Sequence, residues 1–234
     1  MSTKSSRETR RAKRQQQQRR QMIRNLLIIG GVVLLIAAGI IYASLRPIED
    51  VVAITSRNLQ NANGLTVGNP DAPVVVEVYE DFQCPVCRNF TETVEPLIIE
   101  NYVNTGQALY IFRQYPFIGS ESFAASNASM CANAQDRFWD YHDILYANQT
   151  GENIGAFSNK RLQAFAENLG LDMDSFNACF NKSTYDDQIK EDKAKGLAAQ
   201  VSGTPTVFVN GRALPDFQYQ TVQNAIESAL LTSP

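Results

Sequence analysis

The chain has 234 residues, 19% charged and 44% hydrophobic, which is enough apolar material for one core of ordinary size and excludes a collagen-like or wholly disordered chain. Its formal net charge of −3 conceals a division: residues 1–24 hold nine Lys/Arg against the single acid Glu8, and residues 25–234 hold 12 Lys/Arg against 23 Asp/Glu. The acidic balance of the main body counts against nucleic acid as its partner, because phosphate binding needs positive charge where the fold is.

The first element is an uncharged run of 21 residues, NLLIIGGVVLLIAAGIIYASL, between Arg24 and Arg46. About 20 apolar residues in a helix cross the ~30 Å hydrocarbon layer, so residues 25–45 are expected to be a transmembrane anchor. The flank with Lys4, Arg7, Arg10, Arg11, Lys13, Arg14, Arg19, Arg20 and Arg24 predicts that 1–24 is a basic cytoplasmic tail and that the rest of the chain lies outside the cytoplasm. Two other readings compete. A cleaved signal peptide has a shorter apolar run, with Tyr42-Ala43-Ser44 as a weak cleavage site, and a buried core helix would rarely be so uniformly apolar. Residues 46–71 read as a linker and N-terminal strand region, with turn signals at Asn61-Ala62-Asn63-Gly64 and Gly68-Asn69-Pro70.

From Ala72 the pattern becomes regular. Val74 to Tyr79 is rich in β-branched residues and predicts a buried strand. A turn, Cys84-Pro85-Val86-Cys87, and a helix through about Glu100 follow. Leu109 to Phe112 reads as the next strand, which makes a parallel strand–helix–strand unit. A long helical stretch is expected from about 119 to 200, with Asp136 and Ser158 as N-caps and Gly170 as a helix stop. Thr206–Val209 is a strand, Asn210-Gly211 a tight hairpin turn, and Arg212 to Leu214 its partner. A last helix covers about Tyr219 to Leu231.

Cys84 and Cys87 stand where a strand hands over to a helix. Unpaired N–H groups of the first helical turn, together with the helix dipole, stabilise negative charge there, so the first cysteine becomes thiolate more easily. Pro85 is tolerated because its missing N–H would have been unpaired. Cys84 is expected to be exposed and attacking, and Cys87 more buried and resolving. A zinc site would need two further ligands, and the chain has one His and two isolated cysteines. A purely structural disulfide across so short a loop would gain little. Gly203-Thr204-Pro205-Thr206 precedes a strand. Pro205 is either a simple edge residue or a cis-proline, and in the second case the backbone of Thr204 could pair with an extended peptide beside the thiolate.

In this order, Gly68-Asn69-Pro70-Asp71-Ala72-Pro73-Val74, Asp81-Phe82-Gln83-Cys84-Pro85-Val86-Cys87, Phe138-Trp139-Asp140-Tyr141-His142-Asp143, Leu169-Gly170-Leu171-Asp172 and Val201 through Gly211 resemble the membrane-anchored DsbA-like thiol–disulfide oxidoreductases of the thioredoxin superfamily. The match covers most of residues 65–234. It implies an α/β thioredoxin fold (βαβ…ββα) over 72–234 with a helical insertion, preceded by one transmembrane helix. It further implies Cys84 as nucleophile, Cys87 as its partner, and Thr204, Pro205, Pro85 and Val86 at the substrate. The chain departs from the family pattern at two places. The family often has a buried carboxylate six residues before the first cysteine, where this chain has Val78. Glu77 should face the other side of the strand, and the carboxylates of Glu80 and Asp81 have no assignable place. The dipeptide Pro-Val lacks the His of strongly oxidising relatives, so the thiol should be less acidic and the redox poise milder.

Cys131 and Cys179, in different predicted helices, are expected to form a structural disulfide. That pairing leaves the reactive motif intact, and some DsbA-like relatives carry such a second bridge. Two buried free thiols are the alternative. His142 and Trp139, beside Phe138 and Tyr141, are expected to pack in the core, and Asn89, Asn127, Asn148 and Asn181 begin N-x-S/T triplets. The expected function is an extracytoplasmic oxidase that exchanges disulfides with exported proteins. No cofactor and no metal are expected beyond the Cys84–Cys87 disulfide itself, and a membrane quinone-linked oxidase could reoxidise it. A reductase or isomerase of the same fold, or a non-catalytic binding or chaperone module, are the alternatives.

Overall fold

The computed structural model describes residues 3–45 and 50–232. Residues 46–49, where the expected linker begins, lie outside the described residues. The chain divides near residue 47 into an N-terminal helical unit and a folded domain.

The first unit is one helix, α1 (Thr3–Leu45). Within it Gln21–Tyr42 is a 22-residue stretch of mean hydropathy 2.4 with none of its surface buried by protein. A helix of this length and apolar composition is long enough to cross a bilayer.

The domain is built on a five-stranded mixed sheet: β1 (Thr66–Val67), β2 (Val74–Glu80), β3 (Ala108–Gln114), β4 (Thr206–Val209) and β5 (Arg212–Ala213), in the order β1-β3-β2-β4-β5. The central strand β2 runs parallel to β3 and antiparallel to β4, with Val78 opposite both Phe112 and Val207. It is buried almost throughout, which is why it reads as a continuous apolar run instead of an alternating one. Asn210 and Gly211, with φ of 47° and 76°, turn β4 into β5, the pair of positive φ values that a type I′ hairpin demands.

Between β2 and β3 lies α2 (Pro85–Thr93), which stops at Val94 and passes into α3 (Glu95–Ile98) and a π-turn to Val103. The single helix expected through Glu100 is broken because Pro96 has no N–H to offer the preceding turn. Between β3 and β4 come α4 (Ser120–Asn133), α5 (Phe138–Ala147), α6 (Asn159–Asn168), α7 (Met173–Phe180) and α8 (Asp186–Ala198). α9 (Tyr219–Thr232) closes the domain. Asp136 does not cap α5. It is an exposed turn residue at φ 57°, and Arg137 holds the N-cap place. Ser158 does hold the N-cap place of α6, without a side-chain bond. Gly170 (φ 69°) ends α6: the Leu171 N–H reaches the Ala166 carbonyl and the Gly170 N–H that of Glu167, the bond pair of a Schellman stop, which needs a left-handed residue there.

Phe82, Phe90, Tyr110, Phe112, Phe138, Tyr141 and Tyr146 are fully or almost fully buried in the main core, which joins the sheet to the helical insertion. His142 and Trp139 sit in this aromatic layer. Tyr79, Tyr115, Val201 and Phe208 form a smaller cluster. Residues 50–60 form neither helix nor strand, yet they are tied to the domain: the Asn148 amide bonds the backbone of Val52 in both directions, and Arg57 bonds Asp143 and Glu95.

Candidate active site

Cys84 occupies the N-cap of α2 with extended backbone, and Pro85 takes the first helical position. The turn before it is fixed by its own side chains. Asp81 accepts from the Gln83 N–H (2.8 Å) and from the N–H groups of Phe117 (2.8 Å) and Ile118 (3.0 Å). Gln83 donates to Ser122 (2.8 Å) and accepts from the Asn153 N–H (2.6 Å). Gln149 donates to the carbonyls of Phe82 (2.6 Å) and Cys84 (3.1 Å). Asp81 and Gln83 flank the reactive turn in sequence, but their role as its scaffold depends on loops about 35 to 70 residues away.

The Thr204–Pro205 peptide is cis and brings the Thr204 carbonyl to 3.3 Å from Cys84 Sγ, which donates to it. This loop covers the thiol. Cys84 is therefore not the exposed residue that its position at a helix start suggests: 6% of its surface remains open, against none for Cys87. The exposed residues of the motif are Pro85 and Val86. Cys84 and Cys87 are free thiols in this structure, and Cys131 of α4 is bonded to Cys179 of α7.

The two thiols differ in acidity. That of Cys84 is brought down to about 6, first by a hydrogen bond from the Cys87 thiol, then by Thr204 and the N–H groups of Cys87 and Val86, against the opposing effect of burial. These are the donors that a helix start provides to an anion. Burial pushes the Cys87 thiol well up, and the Cys84 sulfur and Glu80 add to this. The Thr204 hydroxyl is buried beside both sulfurs and acts to lower both thiols.

Beneath the dithiol lies a carboxyl that sequence spacing did not place. Glu80 is four residues before Cys84, on the same strand face as Val78, and 1% exposed. Its carboxylate accepts from Tyr146 (2.9 Å) and Tyr110 (3.4 Å). Burial, then the neighbouring charge of Glu95, holds its proton on well above the usual carboxylate range. The strand's period of two was the available signal, since residues 78 and 80 share a face. Glu77 faces away and pairs with Arg113. Among the described residues, Glu80, Glu95 and His142 have potential ligand atoms within 4.8 Å of one another. Arg57 is bonded to Glu95 and the tyrosines to Glu80, so these oxygens already have partners.

Residues 60–228 match the family model described as thioredoxin. The chain belongs to the thioredoxin family. Within that family it is 31% identical over 170 residues to the probable disulfide bond formation protein D of Bacillus anthracis, covering 70% of this chain and 77% of that relative. It is 27% identical over 175 residues to the disulfide bond formation protein D of Bacillus subtilis (strain 168), covering 70% and 76%. The fold is similar to the crystal structure of oxidised BdbD from Bacillus subtilis, with a TM-score of 0.67 at 24% identity, covering 77% of this chain and 100% of that one. It is also similar to Wolbachia pipientis alpha-DsbA1, with a TM-score of 0.64 at 24% identity, covering 74% and 94%. The chain is thus a DsbA-like thiol–disulfide oxidoreductase. In this DsbA-like domain the dithiol, the cis-proline loop and the buried Glu80 all lie at one end of β2 and β4.

Proposed function

We propose that this protein is a membrane-anchored disulfide-forming oxidase of exported proteins, its domain outside the cytoplasm and the Cys84–Cys87 disulfide its only redox centre. A substrate thiolate attacks Cys84 Sγ. The Cys84–Cys87 bond breaks, its electron pair goes to Cys87, and Glu80, the buried neutral carboxyl that interacts with both sulfurs, gives Cys87 a proton. A second substrate thiolate then attacks the substrate sulfur of the mixed disulfide, and Cys84 leaves as a thiolate. Two substrate thiols become a disulfide, and two electrons stay on the dithiol. The Thr204-Pro205 backbone pairs with the extended substrate and Pro85 and Val86 form the rim that it meets. A quinone-linked oxidase in the same membrane would accept the electrons and restore the disulfide.

The observation that carries this reading is the Cys84 thiol at about 6. A stabilised thiolate is a good leaving group and favours the reduced state, which makes the disulfide an oxidant. The value lies between the about 7 of a thioredoxin and the about 3.5 of the most oxidising relatives, in keeping with the missing His. Equilibration with glutathione tests the direction. The expected potential is less negative than that of a thioredoxin, about −270 mV, and a value at or below it would assign the reductive direction. Cys87→Ser should trap exported proteins on Cys84 as mixed disulfides, and a trap that captures none would point to a passive binding module.

A further inference from the structure

Arg57 belongs to the irregular segment that follows the apolar helix in the chain, and its guanidinium enters the layer beneath the dithiol. It bonds Glu95 at 2.6 Å and grips Asp143 with two nitrogens, at 2.6 and 2.7 Å. Glu95 is fully buried and shares Tyr110 with Glu80: the Tyr110 hydroxyl lies 3.2 Å from Glu95 and 3.4 Å from Glu80. Two buried carboxyls so close repel when both are charged, so a charge on one favours a proton on the other. A cation bonded to one of them decides which. We propose that Arg57, bonded to Glu95, anchors the negative charge on that side of the pair and thereby holds the proton on Glu80, the member that faces Cys87, so that a segment outside the thioredoxin sheet sets the proton supply of the dithiol.

The groups that face this pair fit the assignment. From α5 come Asp143, Tyr146 and His142, whose Nδ1 lies 2.8 Å from Asp143 and whose Nε2, without a partner, is 3.8 Å from Glu95. From β3 comes Tyr110 and from α2 come Cys87 and Thr91, the latter bonded to Glu80 at 3.5 Å. Asp81, at the end of β2, is held by backbone N–H groups. Arg57 is the one permanent cation bonded to a member of this set among the described residues. Burial alone would weaken its charge, but Glu95 and Asp143 outweigh it and hold it protonated. The negative charge of Glu95 is in turn among the causes that keep the Glu80 proton on. A surface cleft of about 190 Å³ is lined by Arg57, Thr91, Asp143 and Tyr146, the outer members of this set. Arg57 is a positioning residue here: it touches neither sulfur nor substrate.

The inference rests on the oxidoreductase reading, and one titration separates the two. The full chain in detergent, reduced, is followed by the ultraviolet absorbance of the Cys84 thiolate against pH. In Arg57→Gln the charge that Glu95 sets against Glu80 loses its anchor, and Glu80, held then mainly by burial, gives up its proton more readily. Its charge then opposes the thiolate, and the thiolate fraction below the midpoint falls about tenfold, as expected for one unit. Arg57→Lys restores most of it. Glu95→Gln gives the same loss alone, and Arg57→Gln adds nothing to Glu95→Gln or to Glu80→Gln. An unchanged midpoint in folded Arg57→Gln overturns the inference, as does an equal shift in the Glu95→Gln background. If Arg57→Gln does not fold, Glu95→Gln alone reads the same loss, and an unchanged midpoint there overturns the inference. A wild-type Cys84 that titrates near its ordinary value of about 8.5 would instead sink the functional reading, whatever Arg57 does.

Discussion

At the scale of single residues, the Thr204 hydroxyl is the most informative group. It is buried, and its bond to the sulfur is among the causes that lower the Cys84 thiol. Thr204→Val removes it and keeps the shape. The variant should keep its fold and titrate Cys84 higher by about one unit or less. The stability of the reduced form shows this with a definite sign. The folded thiol at about 6 lies below its unfolded value of about 8.5, so stability rises with pH across that window and is lost as pH falls through about 6. Cys87 is shifted the other way and acts only above its ordinary value. The stability gap between reduced and oxidised protein should therefore widen from pH 6 to about 8.5, and in Thr204→Val it should open at a higher pH. If Thr204→Val loses stability and leaves the titration in place, the hydroxyl is structural.

At the scale of elements, the bridge between α4 and α7 closes 48 positions of chain within the helical insertion and touches no atom of the dithiol. Cys131→Ser/Cys179→Ser should cost about 4 kcal/mol in denaturant unfolding by loop entropy, while the Cys84 titration keeps its midpoint. A shifted midpoint would mean that the insertion transmits strain to the site. The elements differ in how far local sequence reveals them. The strand, the Cys-Pro-Val-Cys turn and the Asn-Gly hairpin are legible because their signals, β-branched runs, a helix-start proline and residues that accept positive φ, act within a few residues. The break at Pro96 depends on a missing N–H inside an otherwise helical run, and the displaced cap at Asp136 on which neighbour takes the left-handed position, so the local pattern places neither boundary. Glu80 was missed for another reason. Its place is fixed by strand parity, but its function comes from Glu95, Tyr110, Tyr146 and Arg57, which arrive from four other segments.

At the scale of the whole molecule, an apolar helix precedes an acidic domain, and residues 1–24 carry nine Lys/Arg against one acid, the charge division that the proposed orientation rests on. Basic residues beside a span stay on the cytoplasmic side, so the domain that follows the span is expected outside, where disulfides persist. This matters for the chemistry as well as for address. A dithiol that has taken two electrons from a substrate is spent until something reoxidises it, and a tether confines the search for that partner to the membrane plane. Protease added to intact cells or spheroplasts should remove the domain and leave a membrane-bound fragment that contains the basic tail. A domain that becomes sensitive only after lysis would reverse the orientation, and with it the class of substrates. A domain released into the medium with its N-terminus inside residues 43–50 would mean that the helix is cleaved, and the enzyme would then have to meet its oxidase by free diffusion.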